Sequence, residues 1–246
     1  MSARSEDRRV AAALARNERY VREFVEAFSL CPYAQRCRET GRLHRAVLLE
    51  TGGAPGTTPF DLAAAALDDA IARIEKLPPE SVEVGLILLP VLDRALVDGL
   101  AGAQNFEQLV ATARARMQAR RPGGDSPFYC VAFHPNFAED LTDAYRAVRF
   151  LRRSPDPTVQ LVRASVLREV RGANPGGANY VDVTGMSAAE LLAVAAPMSI
   201  GDRIAAANLR TLEETGRDQM RRILADLRES REHPEGADPI RRSRTP

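Results

Sequence analysis

The chain has 246 residues, of which 45% are hydrophobic and 27% are charged, and its formal net charge is +1. This length and apolar content suffice for one large domain, and the balanced charge gives no overall field that would favour nucleic acid or a membrane surface. Aromatic residues make up 5% of the chain and tryptophan is absent, which argues against stacking platforms for bases or sugars.

The sequence also predicts where the protein resides. No apolar run approaches the roughly 18 residues of a membrane span, and the charged N-terminus lacks the apolar core of a secretory signal. The three cysteines do not make a disulfide framework in a chain of this size. We therefore expect a cytoplasmic protein with reduced thiols, a single globular domain over residues 1–230 and a disordered tail over residues 231–246.

The N-terminal region predicts two helices and the first candidate functional residue. Apolar residues recur at helical spacing from Ser5 to Phe28, which predicts a long amphipathic helix. A short helix follows, with Pro32 at its first position and Gly41 as its stop. Cys31 would lie at or next to the N-cap, where unpaired N–H groups and the helix dipole favour a thiolate. The alternative is a small apolar residue that packs at the helix entry.

The middle of the chain alternates strands with helices. Strands are predicted over Leu43–Glu50, Ser81–Pro90 and Phe128–Phe133, and the second of these is apolar enough to be central and buried. Helices are predicted over Thr58–Lys76, with an N-cap threonine, and over Asn105–Ala119, where a capping box opens the helix. We expect an α/β (or α+β) fold with about three to four strands flanked by helices.

His134 follows the third predicted strand and shares one face with Phe128, Cys130 and Ala132. Sheets of α/β proteins usually place their sites at strand ends, so His134 is a candidate acid or base that faces a pocket. The alternative is a structural histidine that forms hydrogen bonds within the fold.

A predicted helix over Leu141–Phe150 precedes a cluster of arginines. Arg149, Arg152 and Ser154 are candidate residues for binding a substrate or cofactor, although a solvated basic face would give the same pattern.

The segment from Thr158 to Arg171 predicts another helix, stopped by Gly172. At about 100° per residue, Arg163 falls within the apolar stripe of this helix. A buried guanidinium must find a carboxylate or the anionic group of a ligand. Asp156 or Glu139 could provide the carboxylate.

The C-terminal part is less informative. It predicts a loop over Asn174–Asn179, an extended segment over Tyr180–Val183 and a capping box at Ser187. A long amphipathic helix is predicted from Ser199 to about Glu229, and its apolar stripe is either core or the surface of a homodimer.

Three motifs, LCPYA, AFHP and RRSPDPTVQLVR, occur in this order along the chain. Together they resemble a bacterial family of unknown function whose members carry LCPFA-, SFHP- and NRSPYP-LLR-type motifs. The resemblance spans about Tyr20 to Arg171, and the chain departs from the family pattern at Arg153. The resemblance implies no activity, but it marks these residues as motif positions: Cys31, Pro32, His134, Pro135, Arg152, Ser154, Pro155 and Arg163.

Cys31, His134 and Arg163 would supply a nucleophile or soft ligand, an acid or base, and an anion clamp. We therefore expect a small-molecule enzyme. A haem-dependent oxidoreductase of specialised metabolism is one version, with haem as the leading candidate cofactor and Cys31 or His134 as the iron ligand. Cofactor-free thiol chemistry is the other version.

The alternative function is a non-catalytic module that binds a small anion or regulates by dimerisation through the C-terminal helix. We expect neither a nucleic-acid partner nor a membrane, because basic and aromatic residues are not interleaved.

Overall fold

The computed structural model describes residues 3–31, 34–49, 56–121, 126–142, 144–166 and 200–232. The α-helices are α1 (Ala3–Arg19), α2 (Ala34–Glu39), α3 (Pro59–Glu75), α4 (Gly99–Ala119), α5 (Ala144–Leu151), α6 (Ile200–Thr215) and α7 (Arg217–Glu232). A π-helix (Tyr20–Glu26) extends α1, and a short 3₁₀ helix (Arg94–Leu96) precedes α4. The strands are β1 (Leu43–Val47), β2 (Val84–Leu88), β3 (Phe128–Phe133) and β4 (Thr158–Arg163).

The four strands form one mixed sheet in the order β1-β2-β4-β3. β1 and β2 are parallel and are connected through α3, whereas β4 is antiparallel to both of its neighbours. The N-terminus of α3 is capped as predicted, because the Asp61 N–H donates to Thr58 Oγ1 over 3.1 Å. A mixed sheet with helices confirms the predicted fold class.

Helices cover the sheet on both faces. All five residues of β2 are buried, which confirms that this strand is central. One face packs against α3 and α4, and its buried strand residues include Ile87, Val159 and Leu161. The other face, with Val84, Leu86 and Leu88, belongs to a cluster with residues of α1, α2 and the π-helix.

β4 is a strand, so the helix predicted from Thr158 to Arg171 is wrong at its start. The side chains of Val159, Leu161 and Arg163 alternate with those of their neighbours and lie on the α3/α4 face of the sheet. Pairing with β2 on one side and β3 on the other provides hydrogen-bond partners for the backbone N–H and C=O groups of this segment. Residues 164–166 are helical, and residues 167–199 lie outside the described part of the chain.

α4 begins at Gly99, so the capping box predicted at Asn105 is wrong. Asn105 lies inside this helix, and its Nδ2 donates to the Ala95 carbonyl oxygen over 2.8 Å. The side chain therefore ties α4 to the 3₁₀ helix that precedes it.

The C-terminal segment is two helices rather than one long helix. Gly216, with a φ of +86°, separates α6 from α7, and glycine adopts this left-handed conformation without strain. The apolar residues of the two helices pack onto the π-helix and α5. This cluster includes Leu212, Met220, Leu224 and Leu227 together with Tyr20, Phe24 and Phe150. These apolar side chains therefore form part of the core, which was one of the two interpretations of the stripe.

Several predictions fall on residues that the structure does not describe: Pro32 as a helix start, Gly172 as a stop, the segments 174–179 and 180–183, the capping box at Ser187, and the tail from residue 233 onward. Gly41 is described and has a φ of +69° directly after α2, as expected for a helix stop. Within the described ranges, no helix combines the length and apolar character that a membrane crossing needs.

Candidate functional site

His134 lies directly after β3, and its imidazole is fully buried. The Asn136 N–H donates to Nδ1 over 3.1 Å, so the proton is on Nε2, which lies 3.1 Å from the Leu96 carbonyl oxygen and donates to it. The ring centroid lies 5.5 Å from that of Phe106 and 5.8 Å from that of Phe137. An acid–base role or iron ligation at His134 would therefore require one of these hydrogen bonds to break.

Arg163 is buried, with 8% of its surface exposed. Its guanidinium carbon lies 4.6 Å from the ring centroid of Phe128, and Nε donates to the Val82 carbonyl oxygen over 2.7 Å. A longer contact of 3.5 Å joins Nη2 to the Leu77 carbonyl oxygen. Burial lowers the pKa of Arg163, and the charge of Glu80 partly offsets this. The predicted inward orientation is correct, although it arises from strand alternation and not from helix geometry.

Arg163 and His134 lie at opposite ends of the β3–β4 pair. Phe128 pairs with Arg163 and Phe133 pairs with Thr158, and His134 follows Phe133. At ~3.3 Å per residue, this register separates the two positions by roughly 20 Å along the strand. The structure therefore does not bring these two candidate residues together.

Ser154 and Asp156 join α1 to the start of β4. Ser154 Oγ donates to the Asp156 carbonyl oxygen over 2.5 Å, and Thr158 Oγ1 donates to the same oxygen over 2.9 Å. The Asp156 carboxylate accepts two hydrogen bonds from Arg16, of 2.9 and 3.2 Å, in a buried pair. Ser154 is thus bound within the fold, and Asp156 pairs with Arg16 rather than with Arg163.

Glu139, the other acidic partner considered for Arg163, lies in the loop after β3. Its Oε2 lies 3.6 Å from Nη1 of Arg153, and its Oε1 contacts Arg221 of α7. Glu139 therefore joins this loop to the C-terminal helix. Among the described residues, Arg163 has no acidic ion-pair partner.

Cys31 differs from the other two cysteines in exposure. Cys31 is partly exposed, whereas Cys37 and Cys130 are buried. Burial raises the pKa of Cys37 to about 12 and that of Cys130 to about 11. Cys31 follows the π-helix and Ser29, a non-glycine residue with a φ of +52°. π-Helices and left-handed residues are both enriched at functional sites.

A cavity of about 270 Å³ lies between α4, β3 and the C-terminal end of α5. Its charged lining residues are three arginines and one glutamate, a formal charge of +2: Glu107, Arg114, Arg149 and Arg152. Glu107 and Arg114 lie two turns apart on one face of α4, and Arg149 and Arg152 lie one turn apart. His134 is not among the lining residues, although the adjacent Phe137 is.

Two of the three arginines have partners within the cavity wall. Arg114 Nη2 donates to the Cys130 carbonyl oxygen over 2.9 Å. Arg149 Nη2 lies 3.0 Å from Glu107 Oε1. These contacts hold one guanidinium against the sheet and join α5 to α4 across the cavity.

The Arg152 side chain lacks a partner of the kind that Arg114 and Arg149 have. Its guanidinium carbon lies 6.0 Å from the ring centroid of Phe133. It forms no side-chain hydrogen bond or ion pair with any other residue in the described ranges. Burial lowers the pKa of Arg152 and the charge of Arg149 lowers it further, while Tyr20 and Glu107 raise it. A positive charge without a neutralising contact therefore borders the cavity.

His134 fixes the backbone that carries Arg152. The His134 N–H donates to the Arg152 carbonyl oxygen over 3.0 Å, and the Arg152 N–H lies 3.1 Å from the carbonyl oxygens of both Val148 and Arg149. Because the His134 ring is itself bound and buried, the end of α5 is held against the end of β3. Residues from the second and third sequence motifs thus meet at the cavity.

Sequence analysis identified Arg149 and Arg152 but missed Glu107 and Arg114. The available signal was their seven-residue spacing, which places both side chains on one face of a helix. This spacing indicates a site only when the strand that packs beside that face is known. Among the described residues, no group of three or more His, Cys, Asp or Glu side chains is arranged to hold a metal ion.

No curated protein and no solved structure matches the chain. A family model does match, over residues 12–190, and its description is protein of unknown function (DUF1415). This match covers well over half of the sequence and agrees with the expectation of a family of unknown function. The chain therefore belongs to the DUF1415 family.

Proposed function

We propose that this protein binds a small organic anion in the cavity between α4, β3 and α5. The observation that supports the proposal best is Arg152, a partly buried guanidinium that borders the cavity without a counter-ion among the described residues. A charge removed from water in this way costs free energy unless an opposite charge reaches it. A carboxylate or phosphate in the cavity would supply that charge.

The surrounding residues favour an anion over a neutral ligand. The net formal charge of the cavity lining is +2, and arginine binds carboxylate and phosphate oxygens through two parallel hydrogen bonds. Arg152 and His134 are also both positions of the motifs that resemble the family. His134 acts in this proposal as a positioning residue for Arg152, through its backbone contact and its bound ring.

Arg152→Met tests the proposal. Methionine keeps an unbranched apolar chain against Phe133 but removes the charge. Isothermal titration with acetate and with inorganic phosphate should show binding to the wild type. We expect at least a tenfold loss of affinity in the variant, because a charged hydrogen bond contributes about 1.5–3 kcal/mol. The melting temperature without ligand should stay the same or rise, because an uncompensated charge has been removed.

Arg146→Met is the matched control. Arg146 lies on the same helix but is exposed, and it pairs with Asp140 over 2.9 Å. Its replacement should leave anion affinity unchanged. Equal affinity in Arg152→Met and the wild type would contradict the proposal.

Thiol chemistry is the second candidate function, with or without haem. The observation in its favour is that Cys31 is partly exposed, whereas the pKa values of Cys37 and Cys130 are raised. The thiolate of Cys31 would act as nucleophile or as iron ligand. An absorption spectrum of freshly purified protein tests the haem version, which requires a Soret band. Retention of turnover in Cys31→Ser, once a substrate is identified, would exclude the thiol version.

A further inference from the structure

The open edge of β3 presents backbone groups to the cavity. In the described sheet β3 pairs only with β4, so every second residue directs its N–H and C=O groups to the open side of the strand. The Ala164 N–H donates to the Pro127 carbonyl oxygen over 2.8 Å, which assigns the odd-numbered residues of β3 to the pairing with β4. The backbone groups of Cys130 and Ala132, which both line the cavity, therefore point to the open side.

Neighbouring side chains and loops bind the edge on both sides of Ala132. The Cys130 carbonyl oxygen accepts from Arg114 Nη2 over 2.9 Å. The His134 N–H donates to the Arg152 carbonyl oxygen over 3.0 Å. Between these two contacts, neither the N–H nor the C=O of Ala132 is bonded to another residue in the described ranges. One donor and one acceptor on the same side of a single residue are therefore available to a ligand.

Ala132 can exchange two hydrogen bonds with one α-amino acid. In the hydrogen-bonded pairs of an antiparallel ladder, one residue exchanges both of its bonds with one other residue. The amino nitrogen and the carbonyl group of that partner are attached to the same carbon. An α-amino acid has this arrangement, so its ammonium group can donate to the Ala132 C=O while one carboxylate oxygen accepts from the Ala132 N–H.

The charges along the edge have the polarity that this orientation requires. Arg114 bonds the strand on the N-terminal side of Ala132, which is the side of the Ala132 N–H. Glu107 lies two turns earlier on the same helix. It follows Phe106, whose ring centroid lies 5.5 Å from that of His134, and is therefore on the side of the Ala132 C=O. The carboxylate of the ligand would meet a guanidinium, and its ammonium group would meet a carboxylate.

Two charged groups of the cavity have bonding capacity left for a ligand. The contact of Glu107 with Arg149 uses Oε1, and Oε2 has no partner among the described residues. Arg152 has no counter-ion in these ranges either. The formal charge of +2 on the lining favours a ligand with a net negative charge. A second carboxylate on the amino acid would supply that charge and would bind Arg152.

We propose that the ligand is an acidic α-amino acid with the size of aspartate or glutamate. The inference rests on the proposed anion site. The α-carboxylate binds the Ala132 N–H and Arg114, the ammonium group binds the Ala132 C=O and Glu107, and the side-chain carboxylate binds Arg152. The cavity of about 270 Å³ is at the small end of ligand sites, which span roughly 300–1,000 Å³, and so fits a short diacid.

Four acids with the same carbon chain separate these contacts. L-Glutamate has all three groups, pentanedioate lacks the ammonium group, and L-2-aminopentanoate lacks the side-chain carboxylate. In 3-aminopentanedioate the ammonium group is one carbon further from the carboxylate, so Ala132 cannot bond both. Titration calorimetry on the wild-type protein should show that L-glutamate binds about tenfold more tightly than each of the other three. L-Aspartate, butanedioate and L-2-aminobutanoate repeat the comparison with a shorter side chain.

Two variants assign the contacts to residues. Glu107→Gln should weaken L-glutamate by about tenfold without weakening pentanedioate, because only L-glutamate carries the ammonium group. Arg152→Met should weaken L-glutamate and pentanedioate but not L-2-aminopentanoate. Arg146→Met, the exposed control, should keep the wild-type order. If a variant does not fold, the order of the acids on the wild type still decides.

The outcomes separate this inference from the proposed function. If, in both sets, the diacid binds equally well with and without its ammonium group, and Arg152→Met weakens both, the anion site is retained and amino-acid recognition is overturned. Equal binding of L-glutamate and 3-aminopentanedioate would overturn the pairing with Ala132, and equal binding of L-glutamate and L-2-aminopentanoate would overturn the acidic class. No binding of any acid at about 10 mM would overturn both the inference and the proposed function.

Discussion

Arg163→Met should destabilise the protein without affecting the cavity. The substitution removes the 2.7 Å hydrogen bond from Nε to the carbonyl oxygen of Val82, and Val82 is itself only 1% exposed. It also removes the stacking of the guanidinium on Phe128 at 4.6 Å. A hydrogen bond to a charged group contributes about 1.5–3 kcal/mol, and a desolvated cation–π contact contributes about 1–2 kcal/mol.

Part of this loss is offset, because burial lowers the pKa of Arg163 and methionine no longer carries a charge that must be desolvated. We expect a net loss of about 2–3 kcal/mol in the free energy of unfolding, and a melting temperature lower by roughly 4–12 °C. Urea unfolding followed by circular dichroism measures the first quantity directly. Arg116→Met, an exposed position on α4, is the control and should change stability by less than about 0.5 kcal/mol.

Two results would refute this reasoning. A loss below about 0.5 kcal/mol would mean that the bonds of Arg163 to backbone carbonyls contribute nothing net. A drop in anion affinity at the β3 cavity would mean that Arg163 acts at the ligand site, although the strand register places it at the other end of β3.

Three further predictions concern other buried or reactive groups. Asp156→Asn leaves Arg16 buried without a counter-charge and should cost about 3–5 kcal/mol in urea unfolding, and removal of both charges should recover part of the loss. Iodoacetamide at pH 8 should label Cys31 before Cys37 or Cys130 in haem-free protein, and peptide mapping that finds either buried thiol labelled first would contradict this. The pKa of Cys37, about 12 in the folded protein, lies above its unfolded value of about 8.5. Its contribution to stability is therefore full below about pH 8.5 and is lost as pH rises toward 12. Unfolding free energies between pH 8 and 11 should fall less in Cys37→Ser than in the wild type, by on the order of 1–3 kcal/mol.

Local sequence patterns were sufficient to predict three of the four strands, β1, β2 and β3. β3 has the bounds predicted for it, and Phe128, Cys130 and Ala132 share the predicted face. β1 and β2 lie within the predicted segments. These strands are bounded by turn residues, and their apolar patterns fit a strand better than a helix.

β4 was ambiguous on local grounds. Val159 and Val166 fit a helical stripe, whereas Val159, Leu161 and Arg163 fit the alternation of a strand. The non-local pairing with β2 and β3 decides between the two. Local patterns therefore could not assign this segment.

The candidate site could likewise be predicted from the sequence only in part. Arg149 and Arg152 were found because charge clustering and motif position are properties of the sequence. The cavity itself depends on β3 being the edge strand with α4 beside it. Strand order is set by contacts between distant segments, so Arg114 and Glu107 could not be connected with Arg152 in advance.

The position of β4 also has a consequence for synthesis. β4 is inserted between β2 and β3, and 70 residues separate Leu88 from its partner Thr158. At roughly 5–20 residues per second, the ribosome needs roughly 4–14 s to produce that interval. During this time β1, α3 and β2 can form a parallel unit, but β2 lacks its second neighbour and leaves an apolar edge open to other chains. Aggregation of the nascent chain should therefore depend on how quickly the ribosome synthesises β4.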